Sequence, residues 1–134
     1  MRVLFVCIGN SCRSQMAEGF ARACGAGVWE VESAGLMPAV NIAPLTRQVM
    51  EEKKIDLVDQ FPKPLEWVLP GPIDMVVNLS GHDLPKQLGA MVRTWNVRDP
   101  IGQSERVYRK VRDEIEALVL ELLQEVRGGR DALA

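Results

Sequence analysis

Short apolar runs alternate along the chain with segments whose apolar positions recur three or four residues apart. Two nearly continuous apolar runs, Arg2–Cys7 and Ile73–Leu79, predict strands that are buried on both faces. Trp29–Ser33 alternates apolar and polar side chains, which predicts a half-buried strand, and Val92–Val97 predicts a fourth. The segments between these four strands then decide the fold class.

Three helices are predicted around the strands. One covers Ser14–Cys24, and a second begins at Pro44, which suits the first turn of a helix, and runs to about Lys54. Ser104 caps a third, long helix with a single apolar stripe. Residues 61–72 carry four prolines and predict a loop with at most a short helix. The stripe of the long helix comprises Val107, Val111, Ile115, Leu118, Leu122 and Val126.

Strands interleaved with helices predict an α/β fold built on a mostly parallel sheet. A length of 134 residues fits a single domain, 1–134, whose last residues, 128–134, are expected to fray. Ligands of such sheets bind beyond the carboxyl ends of the strands. The first strand ends at Cys7, so the functional site is expected there.

Composition and charge exclude several classes of function. Sixteen Lys and Arg against eighteen Asp and Glu give a net charge of −2, which argues against a nucleic-acid partner. No run approaches the roughly 18–20 apolar residues that cross a bilayer, so no membrane partner is expected. Three cysteines and one histidine lack the spacing of a zinc site, so no metal or cofactor is predicted. An odd number of cysteines without a secretion signal predicts free thiols and a cytoplasmic protein.

The first strand is followed by a short loop and an arginine, in the sequence C-I-G-N-S-C-R-S from Cys7 to Ser14. A loop that enters a helix directs backbone N–H groups at one point, and the helix dipole adds positive potential, which suits an oxyanion. Arg13 offers a two-pronged donor to such an anion, and the same field favours a nucleophilic Cys7 thiolate, to which Ser14 can donate. Gly9 is expected to supply backbone geometry that a Cβ would hinder, and Asn10 a left-handed residue that ties the loop together.

Asp99 is the predicted acid for the leaving group, in the sequence V-R-D-P at 97–100. It follows the fourth predicted strand, so it can reach the same edge of the sheet as Cys7. Pro100 stiffens this segment and favours an extended backbone at Asp99. The alternative interpretation is an ordinary Asp-Pro turn.

These residues together resemble the low-molecular-weight protein tyrosine phosphatase superfamily, which also contains arsenate reductases. The resemblance covers nearly the whole chain, and it implies a three-layer α/β/α fold around a four-stranded parallel sheet. Its motifs are V-C-I-G-N-S-C-R-S-Q-M-A-E-G at 6–19, E-S-A-G at 32–35, V-V-N-L-S at 76–80, D-P at 99–100 and the closing helix.

By this resemblance Cys7 is the nucleophile, Arg13 the phosphate clamp and Asp99 the general acid and then base. The first hypothesis is therefore a phosphatase that forms a cysteinyl-phosphate intermediate on phosphotyrosine-like or small aryl or acyl phosphates. The alternative is an arsenate reductase that uses the same loop for another oxyanion. The remaining residues of the implied site, which bind phosphate or support the loop, are Ile8, Gly9, Asn10, Ser11, Cys12, Ser14 and Ser33.

Sequence details lean toward the reductase branch, because S-C-R-S-Q-M-A-E-G and R-K-V-R-D-E-I resemble arsenate reductases. Ser11 stands where phosphatases of the family have a bulky apolar residue, and Ile101 and Gly102 stand where many have aromatic residues. Thioredoxin-coupled reductases, however, relay a disulfide through two further cysteines after the third strand. Ser80 stands where the first of these would lie, and 81–90 contain none. A reductase would therefore need another cysteine of this chain or an outside thiol, from a thioredoxin, glutathione or mycothiol system.

Two polar positions near the loop have alternative interpretations. The resemblance implies a reversible disulfide between Cys12 and Cys7, and the alternative is a small packed side chain. Glu18 matches a residue that, with Asn10 and Ser33, supports a monovalent cation in some arsenate reductases. The alternative there is an ordinary carboxylate on the helix surface.

Several other side chains are assigned to packing or to solvent. Cys24, Trp67 and Trp95 lie among apolar residues and are expected in the core. The basic residues expected on a solvated face of the last helix, with ion pairs four residues apart, are Arg106, Arg109, Lys110 and Arg112.

Two alternative functions also remain. One is a phosphocarrier with a strand-ending cysteine and no general acid, and the other is a non-catalytic anion sensor.

Overall fold

The structure is a computed structural model that describes residues 1–69, 71–85, 88 and 91–133, the last four of these as backbone only. The predicted alternation of strands and helices is confirmed, and a short 3-10 helix, Leu65–Trp67, lies in the proline-rich segment. The strands are β1 Arg2–Cys7, β2 Glu30–Gly35, β3 Met75–Asn78 and β4 Met91–Thr94, and the helices are α1 Arg13–Cys24, α2 Pro44–Glu51 and α3 Glu105–Leu133.

The four strands form one parallel sheet in the order β2-β1-β3-β4, which confirms the predicted fold class. β1 is central, and Val3–Val6 are at most 1% exposed because both faces of this strand are covered. The chain leaves β1 toward β2 on one side and returns to β3 on the other. The carboxyl end of β1, at Cys7, is therefore the switch point where ligands of such sheets bind.

The two faces of the sheet are covered differently. One face carries α1, α2 and α3, which pack around Phe5, Phe20 and Ile115. The other face carries Leu4 and Val6, and among the described residues it is covered by the 3-10 helix and adjoining loop segments. The second outer layer of the expected three-layer fold thus contains no described α-helix. The helical face is the one from which α1 reaches the end of β1.

The long helix α3 has the predicted buried stripe, with Val111, Ile115 and Leu122 at most 3% exposed. Ser104 caps it as predicted, since its hydroxyl accepts from the Val107 N–H at 3.4 Å. Its backbone is helical to Leu133, through Gly128 and Gly129. Each glycine costs a helix about 1 kcal/mol, and the expected fraying of residues 128–134 stays a prediction. Residue 134 lies outside the described part. Within that part, no helix is both long enough and apolar enough to cross a membrane.

Three assignments to core or solvent are wrong. Cys24 is exposed although Ala21 and Gly25 are buried, because this position of the last turn of α1 faces solvent. Trp67 is 67% exposed and its ring contacts the half-exposed Phe61, with centroids 6.1 Å apart. Arg109 pairs with Glu105 on the surface as predicted, but Arg112 is only 7% exposed. It is buried because its guanidinium reaches across to α2.

Candidate active site

The loop between β1 and α1 is held in place from outside through its carbonyl groups. The backbone N–H groups of Met37 and Ala39 donate to the carbonyls of Ile8 and Gly9 at 2.8 and 2.9 Å. Thr46 Oγ1 donates to the carbonyl of Ser11 at 2.9 Å. Within the described part of the chain, the backbone N–H groups of residues 8–15 have no protein acceptor. These N–H groups, at the start of a helix, can donate to an oxyanion.

The thiol of Cys7 lies at the end of β1 and is 3% exposed. Its Sγ is 2.8 Å from the hydroxyl oxygen of Ser14, in the first turn of α1. That oxygen accepts from Asn10 Nδ2 at 2.7 Å, so the hydroxyl hydrogen of Ser14 is available to the sulfur. Asn10 has the predicted left-handed backbone, with φ of 51°. The structure therefore brings Cys7, Asn10 and Ser14 of the predicted site together.

A chain of polar side chains continues from Asn10 into the interior. Asn10 Nδ2 also donates to Ser33 Oγ at 2.9 Å, and Ser33 donates to Glu18 Oε1 at 2.6 Å. Glu18 is 2% exposed, so its interpretation as a surface carboxylate is wrong. Its second oxygen accepts from Arg22 Nε at 2.7 Å, which gives the buried carboxylate a fixed positive partner. A monovalent cation beside Asn10, Glu18 and Ser33 stays a prediction.

Arg13 is anchored at the carboxyl ends of two neighbouring strands. Its Nη1 donates to the carbonyls of Leu79 and Val97 at 2.6 and 3.1 Å, and the residue is 5% exposed. Its Nη2 is 3.6 Å from Asp99 Oδ2, while the other carboxylate oxygen accepts from the Ile101 N–H at 3.1 Å. Asp99 thus forms a turn and also lies beside Arg13. The carboxylate is 44% exposed and open to solvent.

Cys12 is the other cysteine of the loop. It is buried in the hydrophobic core, and two hydroxyl groups lie near its sulfur. Its Sγ lies 3.6 Å from the hydroxyl of Tyr108, on α3, and 3.8 Å from that of Ser11. Burial raises the pKa of the Cys12 thiol, and burial also raises the pKa of Tyr108. Both groups are therefore protonated at neutral pH, and Cys12 is poor in thiolate.

The glycine that the loop requires is Gly35, at the end of β2, rather than Gly9. A Cβ on Gly9 would have its nearest neighbour, Ser11 Oγ, at an ordinary 3.5 Å, so the expectation for Gly9 is wrong. A Cβ on Gly35 would lie 2.7 Å from the carbonyl oxygen of Ile8 and 3.0 Å from the backbone nitrogen of Asn10. The loop passes so close to β2 that no side chain fits between them.

Sequence reasoning missed several residues that fix the loop from distant parts of the chain. Gln15 Nε2 donates to the Asn10 carbonyl at 3.0 Å, and Gln60 Nε2 donates to Gln15 Oε1 at 2.8 Å. The backbone N–H of Lys63 donates to Asn10 Oδ1 at 3.0 Å, which favours the orientation of that amide in which Nδ2 faces Ser14 and Ser33. Only Gln15 lies within one of the sequence motifs of the family, at 6–19. The others carry no local signal, since each is an ordinary polar residue in a loop.

A cleft of about 320 Å³ opens beside Arg13. Trp95, which is partly buried against Phe5 with ring centroids 5.9 Å apart, lines it together with Arg98. Trp95 is thus both a core and a cleft residue, and the described cleft has no second aromatic wall. A larger cavity of about 1040 Å³ lies at the opposite end of the sheet, around Met1, far from the loop. Among the described residues, no group of His, Cys, Asp and Glu could hold a metal ion.

The assembled site can bind an oxyanion and attack it. It combines a buried thiol, a hydroxyl that can stabilise the thiolate, loop N–H groups without an acceptor in the described part of the chain, and a guanidinium fixed beside them. A partly exposed carboxylate stands next to that guanidinium. These parts suit nucleophilic displacement at a tetrahedral oxyanion centre.

Known proteins share this arrangement across nearly the whole chain. The family model for low molecular weight phosphotyrosine protein phosphatases matches residues 2–131. A glutaredoxin arsenate reductase from Synechocystis is 39% identical over 129 residues, covering 93% of this chain and 98% of the relative. A solved arsenate reductase in the phosphate binding state is also 39% identical, with a TM-score of 0.87 and coverage of 93% and 98%.

A phosphatase is also among the similar structures. An arginine phosphatase from Geobacillus stearothermophilus is 26% identical, with a TM-score of 0.83, and the match covers 96% of this chain and 94% of that one. The resemblance inferred from the motifs is therefore confirmed. The chain is an enzyme that belongs to the low-molecular-weight phosphotyrosine protein phosphatase family.

Proposed function

We propose that the protein is an arsenate reductase in which Cys7 is the nucleophile and an outside thiol is the reductant. This reverses the order of the two sequence-based hypotheses, of which the phosphatase came first. The relatives at 39% identity support the change, since they are arsenate reductases, whereas the arginine phosphatase is 26% identical. The structural observation that carries the proposal is the Cys7 thiol, 2.8 Å from Ser14, at a loop whose N–H groups have no acceptor among the described residues.

The first step joins the enzyme to arsenate. The Cys7 thiolate attacks arsenic(V) and forms an S–As bond, while one arsenate oxygen leaves as water after taking up protons. Ser14 stabilises the attacking thiolate, and the loop N–H groups and Arg13 hold the remaining oxygens. No electrons change hands in this step, so the arsenic is still pentavalent.

The second step reduces the arsenic. A second thiolate attacks Cys7 Sγ, a disulfide forms, and the electron pair of the S–As bond goes to arsenic, which leaves as arsenite. Two thiols have then been oxidised to one disulfide, and arsenic(V) has been reduced to arsenic(III). A third thiol attacks this disulfide and releases Cys7 for another cycle.

The second thiol comes from outside the chain because neither remaining cysteine is suited to the role. The 12 residues of α1 place Cys24 about 17 Å from the loop. Cys12 is 3% exposed, and burial raises the pKa of its thiol, so little thiolate is available for attack. Ser80, where a relay cysteine was considered, donates its hydroxyl to Asn78 Oδ1 at 2.6 Å and has no redox chemistry.

The chemical class of the reductant is a glutathione and glutaredoxin system. The name of the Synechocystis relative supports this choice over a thioredoxin or mycothiol system. Glutathione is also small enough to approach the Cys7 sulfur, which is only 3% exposed. The thioredoxin and mycothiol systems are the alternatives that the assay below separates.

Phosphatase activity is the second candidate, and one observation favours it. Asp99 Oδ2 lies 3.6 Å from Arg13 Nη2, so a carboxylate stands beside the group that would clamp a phosphate. In a phosphatase, Asp99 protonates the leaving oxygen and then activates the water that hydrolyses a cysteinyl phosphate. Arsenate needs no such acid to release a bulky leaving group.

One set of assays separates the two candidates. Purified protein receives arsenate with NADPH and each of the three thiol systems in turn, and arsenite is measured, while hydrolysis of an aryl phosphate is measured in parallel. We expect arsenite with glutathione and glutaredoxin, and none from Cys7→Ser. The Asp99→Asn variant should lose aryl phosphate hydrolysis and keep arsenite formation. Brisk hydrolysis without arsenite under any thiol system would contradict the proposal.

A further inference from the structure

Glu18 is a buried carboxylate that the chemistry above does not use. It lies on α1, one turn beyond Ser14, and is 2% exposed. Its oxygens accept from Ser33 and from Arg22, at 2.6 and 2.7 Å. A buried ionised group is costly unless it is paired, so its presence beside the loop requires an explanation.

The carboxylate fixes the direction of every hydrogen bond between itself and the nucleophile. An ionised carboxylate only accepts, so Ser33 must donate its single hydroxyl hydrogen to Glu18. Ser33 can then only accept from the Asn10 amide, which places Nδ2 toward both Ser33 and Ser14. Ser14 accepts one Nδ2 hydrogen, and its own hydrogen is left for Cys7 Sγ.

These contacts oppose the reverse direction of the hydrogen bonds between Glu18 and Cys7. If the Asn10 amide were reversed, its oxygen would accept from Ser33 and from Ser14, and Ser14 could then accept from the Cys7 S–H. That network would favour the thiol over the thiolate. Two contacts oppose it: the commitment of Ser33 to Glu18, and the Lys63 N–H that donates to Asn10 Oδ1 at 3.0 Å.

Two positively charged groups from different segments of the chain interact with the carboxylate. Arg22, on α1, pairs with it directly and also donates to the Val31 carbonyl of β2 at 3.0 Å. The ammonium of Lys63 interacts electrostatically with Glu18 and with Glu32 of β2. Arg22 therefore supplies the positive charge in contact with Glu18, and its Nε–H occupies the carboxylate oxygen that Ser33 does not use.

We propose that the Glu18–Arg22 ion pair positions the catalytic hydrogen-bond network so that Ser14 donates to Cys7. The pair acts through Ser33 and Asn10, and it touches neither substrate nor sulfur. The proposal rests on the proposed function only in taking Cys7 as the nucleophile. It is independent of which oxyanion reacts and of which thiol reduces the enzyme.

The test is the pH dependence of Cys7 alkylation in the full-length reduced protein. Iodoacetamide reacts with the thiolate, and mass spectrometry of the Cys7 peptide reports its rate separately from Cys12 and Cys24. In Glu18→Gln, Arg22 takes the amide oxygen and the amide NH2 faces Ser33, so Ser33 is released. We expect the midpoint of the profile to rise by about half to one pH unit, which slows alkylation about threefold to tenfold below it.

The sign of the shift separates this role from the two simpler ones. Removing a negative charge alone would lower the midpoint, and a purely structural role would leave the midpoint unchanged while stability falls. Either result overturns the proposal. The double variant Glu18→Gln/Arg22→Gln keeps the net charge of the chain and should still raise the midpoint. Glu30→Gln, the same change at an exposed position of β2, is the matched control and should leave it unchanged.

Three further variants keep the test decisive if Glu18→Gln does not fold. Arg22→Lys retains the positive charge and should retain the wild-type profile, whereas Arg22→Gln should slow Cys7 alkylation, because Glu18 loses the cation that holds its carboxylate toward Ser33. Equal profiles for the two Arg22 variants would contradict the proposal. Ser33→Ala should raise the midpoint of the alkylation profile as Glu18→Gln does. The double variant Glu18→Gln/Ser33→Ala should show no larger rise than either single variant. Alkylation of Cys7 needs no arsenate, so the alkylation profiles can be interpreted even if the protein does not reduce arsenate.

Discussion

The hydroxyl oxygen of Ser14 lies 2.8 Å from Cys7 Sγ, and the same oxygen accepts a hydrogen from Asn10. Ser14 is thereby made a donor to the nucleophile, in a position that few residue types could fill. A hydrogen bond to a charged group contributes about 1.5–3 kcal/mol, so the contact is large enough to affect the rate.

Replacing Ser14 by Ala should slow the enzyme without unfolding it. We expect kcat for arsenite formation to fall by about tenfold to a hundredfold, because the thiolate loses one charge-assisted donor. The measurement is steady-state kinetics with glutathione and glutaredoxin in excess, together with a urea unfolding curve. A variant as fast as wild type would show that the contact has no part in the chemistry.

The two glycines near the loop should respond differently to a Cβ. Gly35→Ala places a methyl group 2.7 Å from the Ile8 carbonyl oxygen, which overpacks the site and should lower the free energy of unfolding by about 1–3 kcal/mol. Gly9→Ala is the matched control, with its nearest contact at 3.5 Å. Urea denaturation checks both. Equal losses in the two variants would contradict the close approach of β2 to the loop.

Cys24 and Cys12 should differ in reactivity toward alkylating reagents at neutral pH. Cys24 is exposed, whereas Cys12 is buried and its pKa is raised by that burial. We therefore expect Cys24 to be alkylated readily and Cys12 to react only after denaturation, as followed by peptide mass spectrometry. Rapid labelling of Cys12 in the native protein would refute this placement of its thiol.

Glu52 should give the protein a pH-dependent stability between about pH 4.5 and 2. Hydrogen bonds from Arg109 and Arg112 of α3 lower the pKa of Glu52 from its ordinary 4.5 to about 2. A carboxyl whose pKa is lower in the folded state stabilises it above the unfolded value, and this stabilisation is lost as pH falls through the folded value. Glu52→Gln should therefore unfold at a lower urea concentration than wild type at pH 7.

The difference between Glu52→Gln and wild type should shrink below pH 4.5 and disappear near pH 2. Urea midpoints measured at a series of pH values give this difference directly. Glu66→Gln, a change at an exposed position of the 3-10 helix, serves as the control and should follow wild type throughout. A difference that stays constant across this range would mean that the ion pairs of Glu52 do not cause it.

Local patterns in the sequence predicted the elements and the first residues of the site. β1 reads as an unbroken apolar run because it is central in a parallel sheet, and its end therefore located Cys7. Arg13 and Ser14 follow within one loop and one helical turn, so their proximity to Cys7 needs no knowledge of the tertiary fold. The same holds for the left-handed Asn10.

Contacts between distant parts of the chain could not be predicted in this way. Tyr108 meets Cys12 across 96 positions, and Gln60 meets Gln15 across 45, and neither pair leaves a periodic or compositional signal. Cys24 continues the apolar spacing of α1, but periodicity cannot show whether the last position of an apolar stripe contacts the core. The requirement for Gly35 likewise arises only when β2 and the loop are placed side by side.

The most direct test of the account is the covalent state of Cys7 after a single turnover. Reduced protein is mixed with arsenate and glutathione, without glutaredoxin, then quenched with acid and analysed by mass spectrometry, with phosphate replacing arsenate as the control. We expect an arsenate-dependent mixed disulfide between glutathione and Cys7, both in wild type and in Cys12→Ser. A disulfide between Cys7 and Cys12 without glutathione, or an unmodified Cys7, would contradict an outside thiol as the reductant.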